Sequence, residues 1–434
     1  MPSPSYIIVG SGVFGASTAL SLVRKHPEAI ITLIDRDSFD APRRVAASWD
    51  WNKVVRADYN DIVYTKLALE AQQLWRTDPV WQPFYHESGV VWISPSSFAK
   101  QVLKNFKELG VHVDLQAYSV KEARTLYDGL YEEADYTGVN EVLVNRTSGW
   151  AEAKEALQNT IKAAVDLGVK YVTAQVTAVK FDDIHSRRRC CGIKTANGET
   201  FTAERVVLCT GAFTPKLLVD SDPRWEDLHA GKRIIAAAVT EAIAPLTPQQ
   251  RSILDTMPVG INDNPVERGC DLGCLPLPNI NALKYWGQII FQNTVEHPVT
   301  KTQLSMPPSH EDYSQWDVPT VLKDDVRRGS ESILGKKQLH QDLEQFRICW
   351  EALTPSSDFI ISPHSACEGL YIATCGSFHG YKFLPLLGKY VVEMLSGELD
   401  PDLGKRWAWD RELPSTDLNS KWPRRELRDL SEED

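Results

Sequence analysis

The 434-residue chain has no apolar run approaching the roughly 20 residues that cross a bilayer, so no helical membrane span is expected. No basic, apolar leader precedes its first apolar strand, which starts within ten residues of Met1, and a cytoplasmic location is the expectation. Positive charge is in deficit: 47 Lys and Arg stand against 58 Asp and Glu, a net charge of -11. That balance repels phosphate backbones and anionic lipid, so neither nucleic acid nor a membrane is an expected partner. The eight cysteines follow no regular spacing and read as reduced thiols instead of a disulfide framework. Cys270 and Cys274 lack a second ligand pair, and no metal site is expected. Asn145-Arg146-Thr147 matches a glycosylation acceptor without a secretory route, and Glu432-Glu433-Asp434 is no peroxisomal address. Internal repeats and low-complexity tracts are missing as well.

What the first 35 residues do contain is an apolar strand, Ile7 to Val9, running into Gly10-Ser11-Gly12-Val13-Phe14-Gly15, a helical run from Ala16 to Arg24, and a second apolar strand ending at Asp35. Strands this apolar suit a sheet buried on both faces. Gly10 permits the tight turn, Gly12 lets backbone amides approach a pyrophosphate, and Gly15 lets the helix pack against the strand. The helix N-terminus then offers partial positive charge to phosphates. Asp35, twenty residues beyond Gly15, is placed to accept hydrogen bonds from ribose hydroxyls. An acid there disfavours a 2′-phosphate and with it NADP, and leaves NAD and FAD open.

Further along, Ile62 to Trp75 carries an apolar stripe at helical spacing, Gly89 to Ile93 reads as a strand, and Phe98 to Leu109 as a helix. A helix is predicted from Gly149 to Leu167, followed by a β-meander over Val176 to Phe181, Gly192 to Lys194 and Glu199 to Thr202. The buried strand Arg205 to Ala212 returns to the dinucleotide sheet. Between about 220 and 335, Pro and Gly punctuation argues against long helices. Strand Leu370 to Ala373, a glycine turn and helix Leu386 to Leu395 complete the pattern, and the tail after Trp409 is expected to wrap the surface or fray. The fold class is α/β, with two domains interleaved in sequence. Residues 1–85, 149–220 and 336–400 form the Rossmann-type dinucleotide domain, 86–148 and 221–335 a mixed-sheet substrate domain with helices, and 401–434 a tail.

Three further segments carry a resemblance: Arg347-Ile348-Cys349-Trp350, Gly376-Ser377-Phe378-His379-Gly380-Tyr381-Lys382-Phe383, and Ser48-Trp49-Asp50-Trp51-Asn52-Lys53-Val54-Val55-Arg56. With Leu283-Lys284 they make the chain resemble the monomeric sarcosine oxidase and fructosyl amino acid oxidase family of flavin amine oxidases, a branch of which oxidises L-pipecolate and L-saccharopine. The resemblance covers nearly the whole chain and implies a glutathione-reductase-like FAD domain. It also implies FAD joined through a thioether from Cys349 to the 8α carbon of the isoalloxazine. Thiolate is a soft nucleophile suited to that electron-poor position. Contacts to the cofactor fall, by the same resemblance, to Val13, Phe14, Ser48, Lys53, Val176 and Gly211, and then to Gly376, His379, Gly380 and Lys382.

The resemblance further implies oxidation of a secondary amine to an imine, with oxygen reduced to hydrogen peroxide and the imine taken by water or by ring closure. Lys382 and Arg56 would hold a substrate carboxylate, and Lys284, with Lys53 beside the flavin, would favour electron transfer to oxygen. Gln288 occupies the place of an acidic sugar-contacting residue in fructosyl amino acid oxidases, which weakens that alternative without removing it. A dehydrogenase passing electrons to another acceptor is the second alternative, and a monomer is the family expectation. Trp49, Trp51, Tyr285, Trp286, Trp407 and Trp409 suggest a pocket larger than one for a methyl group.

Overall fold

The computed structural model describes residues 3–95, 97–184, 187–263, 271–309, 314–335 and 342–432. Cys270 lies outside them. Two sheets organise the chain. The first has six strands in the order Ile360–Pro363, Leu370–Thr374, Arg205–Leu208, Ser5–Val9, Ile30–Asp35 and Lys170–Thr173. All neighbours are parallel except the outermost pair, Ile360–Pro363 with Leu370–Thr374. Period-two alternation explains why nearly every residue in these strands is apolar. Ile8, Leu33, Val207 and Ala373 face helix Val13–Lys25 and its neighbours, whereas Ile7, Val9, Ile34, Val206 and Leu208 face the meander residues Val179, Cys190 and Ile193. Helix Val13–Lys25 packs against helix Leu387–Ser396 closely enough that a side chain at Gly388 would overlap the backbone of Ser17.

The second sheet has ten strands, and its register decides which residues can meet. Ala242, Tyr285, Cys274, Gly260, Val91 and Val144 form one cross-strand row. That row packs on Val326, Ile333 and Leu334 of helix Thr320–Leu334. The adjacent row, Glu241, Trp286, Gly273, Ile261 and Trp92, must therefore point the other way. Strand Glu344–Leu353, grouped by sequence with the dinucleotide segment 336–400, hydrogen-bonds to Ile235–Pro245 in this larger sheet and joins the second row through Glu241↔Arg347 and Val239↔Cys349.

Two local expectations are corrected, and a third, for the tail, is made specific. Helix Thr320–Leu334 exists despite the punctuation of its region, because Pro319 only precedes it and Leu322, Val326, Gly329 and Ile333 recur at helical spacing on its buried side. The helix predicted from Gly149 begins at Ala153; Gly149–Glu152 is a strand, and a side chain at Gly149 would collide with the backbone of His86. The tail wraps and is anchored: Arg425–Glu426 pairs with Phe291–Gln292, and Leu427 and Leu430 are buried beyond it. Asn145 is fully buried and donates to Asp58, so the glycosylation pattern is inaccessible. Among the described residues no helix is long and apolar enough to cross a membrane, and no cluster of ligating side chains suits a metal.

Candidate functional site

A continuous cavity of about 400 Å³ runs between the two sheets, lined at one end by the glycine turn and at the other by Arg56, Trp286 and Lys382. At the turn, Gly10 takes φ +93°, and a Cβ there would sit 2.5 Å from the Cys209 carbonyl oxygen. Gly12 is the N-cap of helix Val13–Lys25 and supplies no side-chain acceptor, which leaves the first-turn amides facing the cavity for an anion. Gly15 stays outside the lining; a side chain there would overlap the Gly10 carbonyl, so its smallness serves helix–strand packing.

Asp35 lines the cavity but is already engaged. Its Oδ2 accepts from the Ser11 amide at 2.7 Å and the Ser11 hydroxyl at 3.0 Å, and pairs with the buried Arg44 guanidinium at 2.8 Å. Its Oδ1 accepts one bond, from the Asp37 amide, which leaves that oxygen a free lone pair toward the cavity. Val13, Phe14, Ser48, Val176 and Gly211 line the same stretch. This end suits an adenosine diphosphate moiety in shape and polarity.

Midway, a buried ionic cluster gathers residues from distant strands. The Lys284 ammonium spends its three protons on Asp50, on Glu241 at 3.1 Å and on the Asn52 carbonyl at 3.1 Å. Lys53 reaches Asp50 at 2.5 Å and Glu241 at 3.1 Å, and Arg347 lies 3.9 Å from Glu241 and donates to the Trp49 carbonyl at 2.6 Å. Burial alone would push the Asp50 carboxyl up, but Lys284, then Lys53 and Arg347, outweigh it and hold it well below the usual range. The cluster therefore holds three cations against two carboxylates. Cys349 adjoins it, with its sulfur 4.0 Å from the Lys53 Nζ. Burial pushes the Cys349 thiol up, and Lys53 pulls it part of the way back. Cys209 and Cys375 also line the cavity, but burial raises both thiols strongly.

At the far end, Arg56 lies over the Tyr59 and Trp92 rings at 4.7 and 4.6 Å and donates to the Asp58 carbonyl. Lys382 donates to the His379 carbonyl at 2.9 Å. Among the described residues neither cation has a carboxylate within ion-pair distance. Burial drives Lys382 well below the ordinary lysine range, and Arg56 and Lys421 add to the effect. Burial likewise keeps His379 neutral; its Nε2 bonds the Ser357 carbonyl and its Nδ1 the Tyr59 hydroxyl. Gly376, His379 and Gly380 all line the cavity.

Gln288 does not line it; its backbone N–H donates to the Asp325 carboxylate at 2.7 Å. The aromatic pocket is also corrected. Of the six residues named for it, only Trp286 lines the cavity, lying across Gly273, whose missing side chain makes room for the ring. Trp49, Trp407 and Trp409 are core, and Tyr285 is in the opposite row. Asp50, Glu241, Arg347 and Glu351 are site residues that sequence reasoning passed over. Alternation about Cys349 carries the signal for Arg347 and Glu351, and a lone acid in the strand IAAAVTEAIAP carries it for Glu241.

A family model described as DAO, FAD dependent oxidoreductase, matches residues 5–394. The amino acid oxidase imqH of Aspergillus flavus is 30% identical over 93% of this chain and 95% of its own. The L-saccharopine oxidase of Schizosaccharomyces pombe is 25% identical over 97% of this chain and 96% of its own. Among solved structures, a thermally stable mutant of fructosyl peptide oxidase superposes with a TM-score of 0.83 over 99% of this chain and 98% of that one, at 22% identity, which shows a shared fold.

Proposed function

The chain belongs to the DAO family of FAD dependent oxidoreductases, and from that premise we propose that it is an oxidase of N-substituted amino acids with FAD tethered to Cys349. The observation that carries this reading is the pair Arg56 and Lys382. Two cations, Lys382 buried and Arg56 half-buried, have no carboxylate in ion-pair distance among the described residues and sit at one end of a cavity whose other end is built for a dinucleotide. Burying a charge unpaired is costly, and a ligand carboxylate relieves that cost at both residues at once. Arg56 offers the planar fork for a bidentate contact, and Lys382 a point charge.

FAD, when bound, would take the electron pair of the substrate C–H bond, the N–H proton leaving as C=N forms, and would supply those two electrons to oxygen as peroxide. The chain's own residues would do the rest. Gly10, Gly12 and Asp35 would hold the adenosine diphosphate, and Cys349 would fix the ring system between the ionic cluster and the Arg56–Lys382 pair. The cluster's excess positive charge, centred on Lys284, would favour transfer to oxygen by standing preorganised in a site of low dielectric. Neutral His379 would brace the turn that presents Lys382.

The test is a peroxide assay on the purified yellow protein over sarcosine, L-pipecolate, L-saccharopine and fructosyl amino acids, with acid precipitation of wild type and Cys349→Ala. The expected result is peroxide from at least one secondary amine, and a yellow pellet from wild type only. Silence across the panel, or a yellow Cys349→Ala pellet, would overturn the substrate class or the tether respectively.

A further inference from the structure

Glu351 is the one member of the Arg347, Cys349, Glu351 row that the mechanism above leaves unused. Strand alternation puts all three on one face of the strand, and Cys349 and Glu351 line the cavity. The acids near it in the ionic cluster, Asp50 and Glu241, are neutralised by Lys53, Lys284 and Arg347. Glu351 has no cation within ion-pair distance among the described residues. Its Oε2 accepts the Phe378 amide at 2.9 Å, which fixes the carboxylate without discharging it.

The turn that makes this contact is shaped around the carboxylate. A Cβ at Gly376 would overlap Glu351 Oε1 and displace the carboxylate from its present place. Cys375, Ser377 and Phe378 all adopt left-handed backbone, at φ +69°, +49° and +61°. Three such non-glycine residues in four positions are strained, and strain of this kind collects where a site demands it. The same turn carries Lys382, whose Nζ bonds the carbonyl of His379, the residue next to Phe378. One short loop thus sets both a free cation and an unpaired carboxylate on the cavity.

In an α-amino acid the nitrogen is one carbon removed from the carboxyl group. A substrate whose carboxylate lies on Lys382 and Arg56 needs a hydrogen-bond acceptor close by for its N–H, and the neighbouring carboxylate supplies one. We propose that Glu351 receives the amino nitrogen of the substrate, as an ion pair with the ammonium and a hydrogen-bond acceptor for the neutral amine, and so selects amino acids over other carboxylates. Burial raises the Glu351 carboxyl, with Lys53 opposing, so an arriving cation gains more there than it would at a solvated acid. The inference rests on the amine-oxidase reading.

The experiment titrates the FAD-loaded protein at pH 8 with α-aminoisobutyrate and with pivalate, following the visible flavin spectrum. The two match in shape, with the amine of one replaced by methyl in the other, and neither has a hydrogen on the carbon that would be oxidised. Wild type should bind α-aminoisobutyrate at least about 10-fold more tightly, as one charged hydrogen bond warrants. In Glu351→Gln, whose amide oxygen still accepts the Phe378 N–H, the preference should fall within about 3-fold while the pivalate Kd is unchanged. A wild type without preference, or a Glu351→Gln protein that keeps it, overturns the inference; the first outcome needs no variant to fold. A preference that vanishes in Glu351→Gln, in a protein yielding no peroxide from any amine, supports the role of Glu351 and refutes the oxidase reading alone.

Discussion

Replacing Lys53 by Met should slow formation of the tether in a way that depends on pH. The Lys53 ammonium lies 4.0 Å from the Cys349 sulfur. Two unit charges at that separation, with an effective dielectric constant near 20, interact by about 4 kcal/mol, equivalent to roughly 3 pH units of thiol acidity. Water admitted beside the shorter, uncharged side chain would screen part of this, and a thiol that burial already holds high would move further up. The thiolate fraction at pH 8 then falls about 10- to 100-fold. A thiolate of higher pKa is also the better nucleophile, with a Brønsted slope near 0.5, and about half the loss is recovered on a logarithmic scale. The net expectation is attachment about 3- to 10-fold slower at pH 8, converging on wild type as pH passes the thiol pKa. The assay mixes apoprotein with FAD at pH 8 and pH 10, quenches samples in acid and measures colour in the pellet. Lys53→Arg should remain close to wild type. A Lys53→Met defect of equal size at both pH values would refute the electrostatic argument and make Lys53 a packing residue.

Lys284→Met should slow reoxidation of the anaerobically reduced enzyme by air at least about 10-fold in stopped flow, because it removes the cluster's excess charge. Asp50→Asn raises that charge and should not slow the same step; an equal slowing would show that the cluster acts through position alone. Asp263 is raised to about 6 by burial and then by Asp271, above its unfolded value near 4. The folded chain therefore binds the extra proton between pH 4 and 6, and stability falls as pH rises through that window. Asp263→Asn should gain about 2–3 kcal/mol at pH 8 and nothing below pH 4, read from urea midpoints. His364, lowered to about 4 by burial, has the opposite sign: the unfolded chain binds its proton first, and stability is lost as pH falls from about 6.5 toward 4. The Asp263→Asn profile should expose that acid limb. Truncation after Pro414 removes Trp422, which packs with Cys349 and Phe378, and the strand paired to Phe291. It should cost about 3–5 kcal/mol, seen as a lower thermal midpoint, and a truncated protein melting with the full chain would refute an anchored tail.

How much of this was legible depends on whether a feature is local or assembled. The dinucleotide turn is local, since Gly10, Gly12, Gly15 and Asp35 need only one βαβ unit to acquire their places, and spacing alone locates them. The ionic cluster is assembled. Asp50 and Lys53 come from one segment, but Glu241, Lys284 and Arg347 come from three strands whose neighbours are set by pairing between residues as far apart as Glu241 and Arg347. No window of sequence contains that register. Its consequence is instead visible in what each strand tolerates. Glu241 sits among buried alanines and isoleucines, and Gly273 interrupts an apolar strand so that Trp286 can cross it. Each is a local inconsistency that only the assembled sheet repays. The aromatic residues misled for the converse reason. Tryptophan density is as well explained by core packing as by a pocket, and only the row assignment separates Trp286, on the cavity face, from Tyr285, one residue earlier on the other. Glu351 tests the same logic from the opposite direction. Once Cys349 is assigned to the cavity, alternation places position 351 on that face too, and a carboxylate there with no cation in ion-pair distance among the described residues is what the proposed amine would complete.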